Sequence, residues 1–188
     1  MEDGAQSFGD MYKDRRSGSL TPIGATSFFP AKPLGGYGDG GAIFTDDYEL
    51  SARLRMILNH GQRKRYDHAV VGLNARLDTL QAAILKVKLK HFDDELDGRQ
   101  EVADWYSRAF SEDDRIVTPT ILDHNSSTWA QYTIRVPNRP VVQAALGDRG
   151  IPTAVHYPIP LHKQDAFASY PQNSIERPKT EKACEEVM

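Results

Sequence analysis

The stretch that most restricts how this chain can fold runs from Thr26 to Thr45, TSFFPAKPLGGYGDGGAIFT, where two apolar runs flank one lysine and five glycines within seven residues. Lys32 stands in Pro30-Ala31-Lys32-Pro33. Proline fixes its own φ, lacks an N–H and disfavours the α conformation in the residue before it, so Lys32 is excluded from helix interiors and central strands and is predicted to project from a bend. The glycines at 35, 36, 38, 40 and 41 lack a Cβ, which lets the backbone reverse or approach another segment or a ligand closely. The segment reads as strand, turn bearing an addressable amine, strand. Taken alone it reads equally as a surface lysine on a connecting turn. Two familiar phosphate loops are excluded: Gly36-Tyr37-Gly38-Asp39-Gly40 lacks GxGxxG spacing and leads into the strand-like Ala42-Ile43-Phe44-Thr45, and no GxxxxGK[ST] occurs.

Hydrophobic periodicity arranges the remainder around this turn. Ile23–Phe29 supplies the strand that delivers Ser27 and Lys32, and Lys13–Thr21 reads as a loop or short hairpin edge. Asp46-Asp47-Tyr48-Glu49 opens a helix whose apolar stripe, Leu50, Leu54, Ile57 and Leu58, should cover the sheet and end near His60-Gly61. Gln62–Val71, QRKRYDHAVV, reads as a loop, either solvated or facing an anion. Leu77–Phe92 is an amphipathic helix with Leu80, Ala83, Ile84 and Val87 on its apolar face, and Asp93–Phe110 continues as a second helix or a bent extension. After the composition shift at Ser111–Asp114 a loop-rich stretch runs to Ser127. Tyr132–Val136, Pro140–Leu146 and Gly150–Val155 then read as strand, helix and strand. Residues 1–92 are expected to build a mixed, mainly parallel sheet with helices. The domain reading is 1–110 and 111–188, the second a smaller α/β unit. From Pro158 to Pro178 prolines break any regular pattern, and Lys179–Met188 begins another helix.

Charge and composition narrow the function. A net charge of -3 over 188 residues gives no general attraction to nucleic acid or anionic membrane. There is no apolar run of membrane length and no secretory pattern, so the cytoplasm is the default location. The single cysteine, Cys184, forms no internal disulfide. His156 and His162 are separated across two prolines by a spacing that matches no recognised metal motif, and no metal centre is expected.

Four segments stand in a recognisable order: Glu2-Asp3-Gly4-Ala5-Gln6-Ser7, Ser27–Gly35, Gly38-Asp39-Gly40-Gly41, and Gly72-Leu73-Asn74-Ala75-Arg76-Leu77-Asp78. In that order and spacing the chain resembles the pyridoxal-phosphate (PLP) sugar aminotransferases of the DegT/DnrJ/EryC1/StrS family, and within it the enzymes that aminate a 3-keto nucleotide-sugar uronate using glutamate. The resemblance implies an α/β PLP-transferase fold of type I, comprising the later part of the large domain and most of the small one. It implies a homodimer with shared active sites, and a keto nucleotide-sugar and an amino-acid donor as partners. Lys32 would carry the cofactor and move a proton as a neutral amine, a role to which lysine is suited because burial and nearby cations lower its pKa. Histidine there would indicate the family's dehydratase branch. Asp3 corresponds to the acid that pairs with the pyridine nitrogen, Gln6 to the contact with the ring 3-oxygen, and Ser27 to a phosphate ligand. Asn74 and Arg76 correspond to residues donated across the dimer interface, to cofactor phosphate and donor carboxylate, and are expected far from Lys32 of their own chain. His156 corresponds to a small-domain residue facing the substrate.

The pattern also departs from the family. About half of a full-length enzyme would precede Met1, including a Gly-Thr phosphate loop and a ring-stacking aromatic, so the chain is expected to be a fragment and inactive by itself. Gly4 stands where alanine is usual, and Asp3 has no strand before it. Two other readings follow: a non-catalytic remnant that binds no cofactor, and a sugar- or nucleotide-binding module unrelated to PLP.

Overall fold

A computed structural model describes residues 1–170 and 175–188, so part of the irregular stretch expected from Pro158 to Pro178 lies outside the described residues. The chain divides into two compact units, Met1–Val102 with Ile121–Ala130, and Ala103–Thr120 with Gln131–Met188.

The first unit begins with β1 (Glu2–Asp3), a hairpin of β2 (Met11–Tyr12) and β3 (Arg15–Arg16), then β4 (Gly24–Ser27) and β5 (Gly41–Phe44). β4 lies between β1, which is parallel to it, and β5, which is antiparallel. The sheet is mixed but not mainly parallel as expected, because the glycine-rich turn brings β5 straight back beside β4, whereas a parallel partner needs a long crossover. Strand alternation sends Thr26 and then Phe28 inward, both buried. Phe28 meets Leu34, Leu85 and Phe92, with Phe8, Ala42 and Leu96 packed around them. Phe8 is central: its ring is edge-on to Phe28 at 6.5 Å and stacked on Phe44 at 6.2 Å.

α1 (Tyr48–Leu58) starts where the acidic residues predict, with the Asp47 carboxylate accepting the Leu50 N–H at 3.0 Å. Its apolar stripe is only half-buried, and its main strand contact is with β6 (Gln62–Lys64) rather than with the three-stranded sheet it was expected to cover. β6 pairs with β7 (Asp67–His68), so the stretch read as a loop is a hairpin. Alternation hides such a strand when both faces are polar and solvated. α2 (Thr79–Lys88) passes through a 3-10 turn at Leu89–His91 into α3 (Phe92–Phe110), the bent extension expected. The buried face of α2 is rotated from the predicted stripe: Leu85 is buried, while Leu80 and Val87 are 79% and 58% exposed. Long polar side chains cause this, since Gln81 accepts the Tyr37 N–H at 2.8 Å and the Lys88 ammonium donates to the Gly35 carbonyl at 2.7 Å, turning that flank of the helix toward the glycine-rich turn.

In the second unit, α4 (Arg139–Gly147) and α5 (Pro178–Glu186) form as predicted, but neither flanking strand does. Residues 132–136 are extended and make isolated bridges, Arg135 to Val117 on one side and to Val187 on the other. Among the described residues, 151–155 make no ladder: the Ile151 N–H closes α4 on Leu146 O, and no extended neighbour pairs with the residues that follow. Val136 and Ala103 are buried, Tyr106 stacks on Phe110 at 5.7 Å and lies 5.2 Å from Tyr132, and ion pairs tie the ends together. Arg135 pairs with Glu186 at 2.5 Å, and Glu181 holds Lys163 at 2.7 Å and His162 at 3.2 Å.

Candidate active site

The site begins with strand register. Asp3 is the parallel partner of Ala25, and alternation therefore puts Asp3, Ala25 and Ser27 on the face opposite the buried Thr26. Ile43, the partner of Ala25 on β5, is 54% exposed on that same face. One strand across and two residues along, Asp3 and Ser27 stand about 8 Å apart at Cα. Asp3 was expected to lack a positioning strand, but it belongs to one, fixed by Glu2 N–H to Ile23 O at 2.8 Å and Gly4 N–H to Ala25 O at 2.7 Å. Its carboxylate also accepts the Ala5 N–H at 3.0 Å. Ser27 Oγ accepts the Phe29 N–H at 3.2 Å, which leaves the hydroxyl proton to donate elsewhere.

Lys32 follows on a turn that is anchored from within. Pro33 is fully buried and Leu34 is 4% exposed, so the two residues after the lysine plug the core while Lys32 itself stays half-buried at the rim. The turn closes by Phe28 N–H to Gly40 O at 2.8 Å, Gly36 N–H to Phe28 O at 2.7 Å and Lys32 N–H to Phe29 O at 2.9 Å. A Cβ at Gly35 would lie 2.3 Å from the Pro30 carbonyl oxygen, so only glycine permits this closure. Among the described residues no carboxylate pairs with the Lys32 ammonium.

Asn74 and Arg76, both exposed, run alongside the end of α1. Asn74 bridges Asn59, the Arg76 guanidinium donates to Asn59 Oδ1 at 3.1 Å, and Leu73 and Ala75 N–H groups bond the Ile57 and Leu58 carbonyls. Gly61 makes the approach possible: at φ +71, a Cβ there would fall 1.8 Å from the Val70 carbonyl oxygen. The same connection is fastened to the turn beyond Lys32, where a Cβ on Gly40 would meet Leu77 Cδ1 at 2.7 Å. Gln6 is exposed, and its carbonyl accepts the Thr128 hydroxyl at 3.2 Å. His156 belongs to the second unit, where it borders a cleft of about 590 Å³ walled by Tyr106, Phe110, Tyr132, Leu146 and Met188. Sequence reasoning missed Thr128 and Lys88, which hold site segments from 122 and 53 residues away, a separation at which no local pattern signals contact.

The profile of the DegT/DnrJ/EryC1/StrS aminotransferase family matches residues 1–188. A UDP-2-acetamido-2-deoxy-3-oxo-D-glucuronate aminotransferase of Pseudomonas aeruginosa is 53% identical over 188 residues, all of this chain and 51% of that protein. A pleiotropic regulatory protein of Geobacillus stearothermophilus is 44% identical over 190 residues, again all of this chain and 51% of that protein. A solved DegT DnrJ EryC1 StrS aminotransferase from Brucella abortus matches with a TM-score of 0.92 at 41% identity, over 99% of this chain and 50% of its own. The chain thus spans about half the length of the curated relatives it matches.

Proposed function

Because the chain belongs to the DegT/DnrJ/EryC1/StrS aminotransferase family and has the type I fold of its solved relatives, we propose that it forms part of a PLP enzyme that transfers an amino group from glutamate to a keto nucleotide-sugar. The amino sugar would serve surface polysaccharide. One observation carries the reading: a lysine on a core-anchored turn follows directly from the strand whose open face already presents a carboxylate and a hydroxyl. These donor types fit the cofactor, an acid for a protonated ring nitrogen, a hydroxyl for phosphate and an amine for the carbonyl carbon.

When bound, PLP supplies an electron sink for the carbon being converted. Lys32 is the covalent attachment point and carries a proton at Nζ, and the buried Pro33-Leu34 plug keeps that amine aimed while its flexible stem lets it move. Asp3, held by the Ala5 N–H and by strand pairing, keeps a proton on the ring nitrogen. Gln6 contacts the ring 3-oxygen and Ser27 donates its free hydroxyl proton to phosphate. Arg76 offers a planar fork to the donor's carboxylate and Asn74 an amide to phosphate, both toward the partner's site in a homodimer. His156 faces the sugar from the small domain, residues 111–188, while 1–110 belong to the large one. The cytoplasm is the proposed location; among the described residues no helix is long and apolar enough to cross a membrane.

The test is optical. Added PLP should give a visible-edge absorbance band with this chain that Lys32→Ala lacks and that borohydride reduction makes permanent. A band of equal strength in Lys32→Ala would sink the assignment. That the Geobacillus relative is named a pleiotropic regulatory protein favours one second reading, a protein that keeps the fold without turnover, and absence of any lysine-dependent band would support it.

A further inference from the structure

The segment Glu2–Ser7 carries two of the proposed cofactor contacts, Asp3 and Gln6, on a slender support. β1 is two residues long and lies at the edge of its sheet, beside β4. Beyond it, the Ser7 N–H closes a turn on the Gly4 carbonyl at 3.2 Å, and the Asp3 carboxylate takes the Ala5 N–H inside that turn. The orientation of the Asp3 carboxylate therefore depends on how firmly this span is fixed at its ends. Short edge strands and chain ends open easily, so that firmness must come from elsewhere.

It comes from side chains that the cofactor reading leaves unused. Glu2, Gly24 and Phe44 are cross-strand partners in one row and Asp3, Ala25 and Ile43 in the next, so the two rows face opposite sides of the sheet. Residues 17–20 lie against the first row: a Cβ on Gly24 would fall 2.3 Å from the Gly18 carbonyl oxygen, and one on Gly18, at φ +92, 2.9 Å from the Phe44 ring. The Glu2 carboxylate reaches this loop with both oxygens. Oε1 accepts the Gly18 N–H at 2.7 Å and the Ser17 hydroxyl at 2.9 Å, and Oε2 accepts the Leu20 N–H at 3.0 Å. The loop is itself tied down, by the Ser17 N–H to the Asp10 carbonyl at 2.9 Å and by the Arg15 guanidinium, which donates to the Ser19 and Leu20 carbonyls. From the far end of the segment, Ser7 Oγ lies 2.7 Å from Ser17 Oγ. A hydroxyl has one proton, and Ser17 gives its proton to Glu2, so Ser7 is the donor to Ser17 and the bonds run from Ser7 through Ser17 to Glu2. They pass close to Gly4, where a Cβ would come 3.2 Å from Ser17 Oγ. Burial pushes the Glu2 carboxyl up, but the Gly18 and Leu20 N–H groups, the Ser17 hydroxyl and the Arg15 charge outweigh it and leave it below its usual range, an ionised acceptor.

We propose that Glu2 and Ser7 are positioning residues: joined through Ser17 to one loop, they clamp the two ends of the segment and so aim the Asp3 carboxylate from the open face of the sheet. Both act through the backbone between them and through the Ala5 N–H, not on the reacting atoms. The clamp's meaning for catalysis rests on the role proposed for Asp3, but its existence does not.

Amide exchange and side-chain NMR of the 188-residue chain test it without cofactor. Glu2→Ala should speed exchange of the Ala5 amide, whose acceptor is Asp3, about tenfold and move the Asp3 carboxyl carbon signal. Gly18 and Leu20 lose their acceptor in the same variant and must also exchange faster. Faster exchange confined to those two would make Glu2 a fastening of the loop alone and overturn the proposal. Ser7→Ala leaves the Glu2 charge in place and should change Ala5 and Asp3 in the same sense, by about threefold in exchange, and Ser7→Thr should reverse it. If Glu2→Ala does not fold, the Ser7 variants decide: an Ala5 amide and an Asp3 signal indifferent to Ser7→Ala refute the clamp. With isotope-labelled PLP bound, the ring-nitrogen signal in Glu2→Ala should move toward that in Asp3→Asn, and a stationary signal overturns the aiming of Asp3. A chain that takes up no PLP refutes the proposed function and leaves the cofactor-free readouts intact.

Discussion

The two units of this chain are held by different physics. The first closes on rings and aliphatics, Phe8, Phe28, Phe92, Leu34 and Leu85, and the second buries Val136 and Ala103 and leans on Arg135–Glu186, Lys163–Glu181 and the Arg139 guanidinium, which donates to the Cys184 and Val187 carbonyls. Apolar packing carries no charge for salt to screen, so Lys32, plugged into it through Pro33-Leu34, is not held by an interaction that screening weakens. Exposed ion pairs respond to both pH and salt. Lys163 and His162 hold the Glu181 carboxyl down at about 2, and Arg135 holds Glu186 below its usual range, whereas burial raises Asp10 in the first unit to about 6. Asp10 and Glu181 therefore have opposite pH signs.

Each unit contains one tryptophan, Trp129 in the first and Trp105 in the second, so single-tryptophan variants report on them separately. The largest expected effect is from Phe92→Ala, which removes a side chain 3% exposed at the core centre and should cost the Trp129 transition about 3–5 kcal/mol in urea. An equal loss at Trp105 would break the contrast between the units. Gly35→Ala comes next. Its Cβ cannot coexist with the Pro30 carbonyl, and the forced shift of the lysine turn should cost about 1–3 kcal/mol and abolish the lysine-dependent PLP band; a retained band would show that the turn is not what aims the amine. Third, acidification should weaken the second unit. A depressed carboxyl contributes stability that is complete above its ordinary value near 4.5 and lost as pH falls toward about 2. The Trp105 midpoint should fall across that window, and less steeply in Glu181→Gln. The smallest effect is that of salt, which should lower the Trp105 midpoint slightly at neutral pH and leave Trp129 unmoved. The reverse ranking would mean that charge holds the aromatic unit.

Much of the first unit was legible because its determinants are local. Prolines around Lys32, the glycine run and the Asp47 cap each restrict φ or satisfy an N–H within a few residues. What failed depended on partners remote in sequence. The buried flank of α2 was misassigned because Lys88 and Gln81 reach the glycine-rich turn with polar tips, which a hydrophobicity pattern counts against burial. The β6–β7 hairpin carries charges on both faces and so shows no alternation. Gly150–Val155 has strand composition without a pairing neighbour among the described residues, and composition alone does not supply one. At the candidate site, residue identities came from motif resemblance, but the shared face of Asp3 and Ser27 required the register of β1 on β4, which nothing local encodes.

The return of residues 121–130 to the first unit has a consequence for synthesis. The Gln6 carbonyl waits for a hydroxyl 122 positions downstream, so on the ribosome β1 and the lysine turn are made long before the strap that fastens them. At roughly 5–20 residues per second that delay lasts roughly 6–24 s, far longer than hairpins and helices need to form. During it that segment is exposed to chaperones and proteases, and the open sheet face bearing Asp3 and Ser27 is assembled before it is secured.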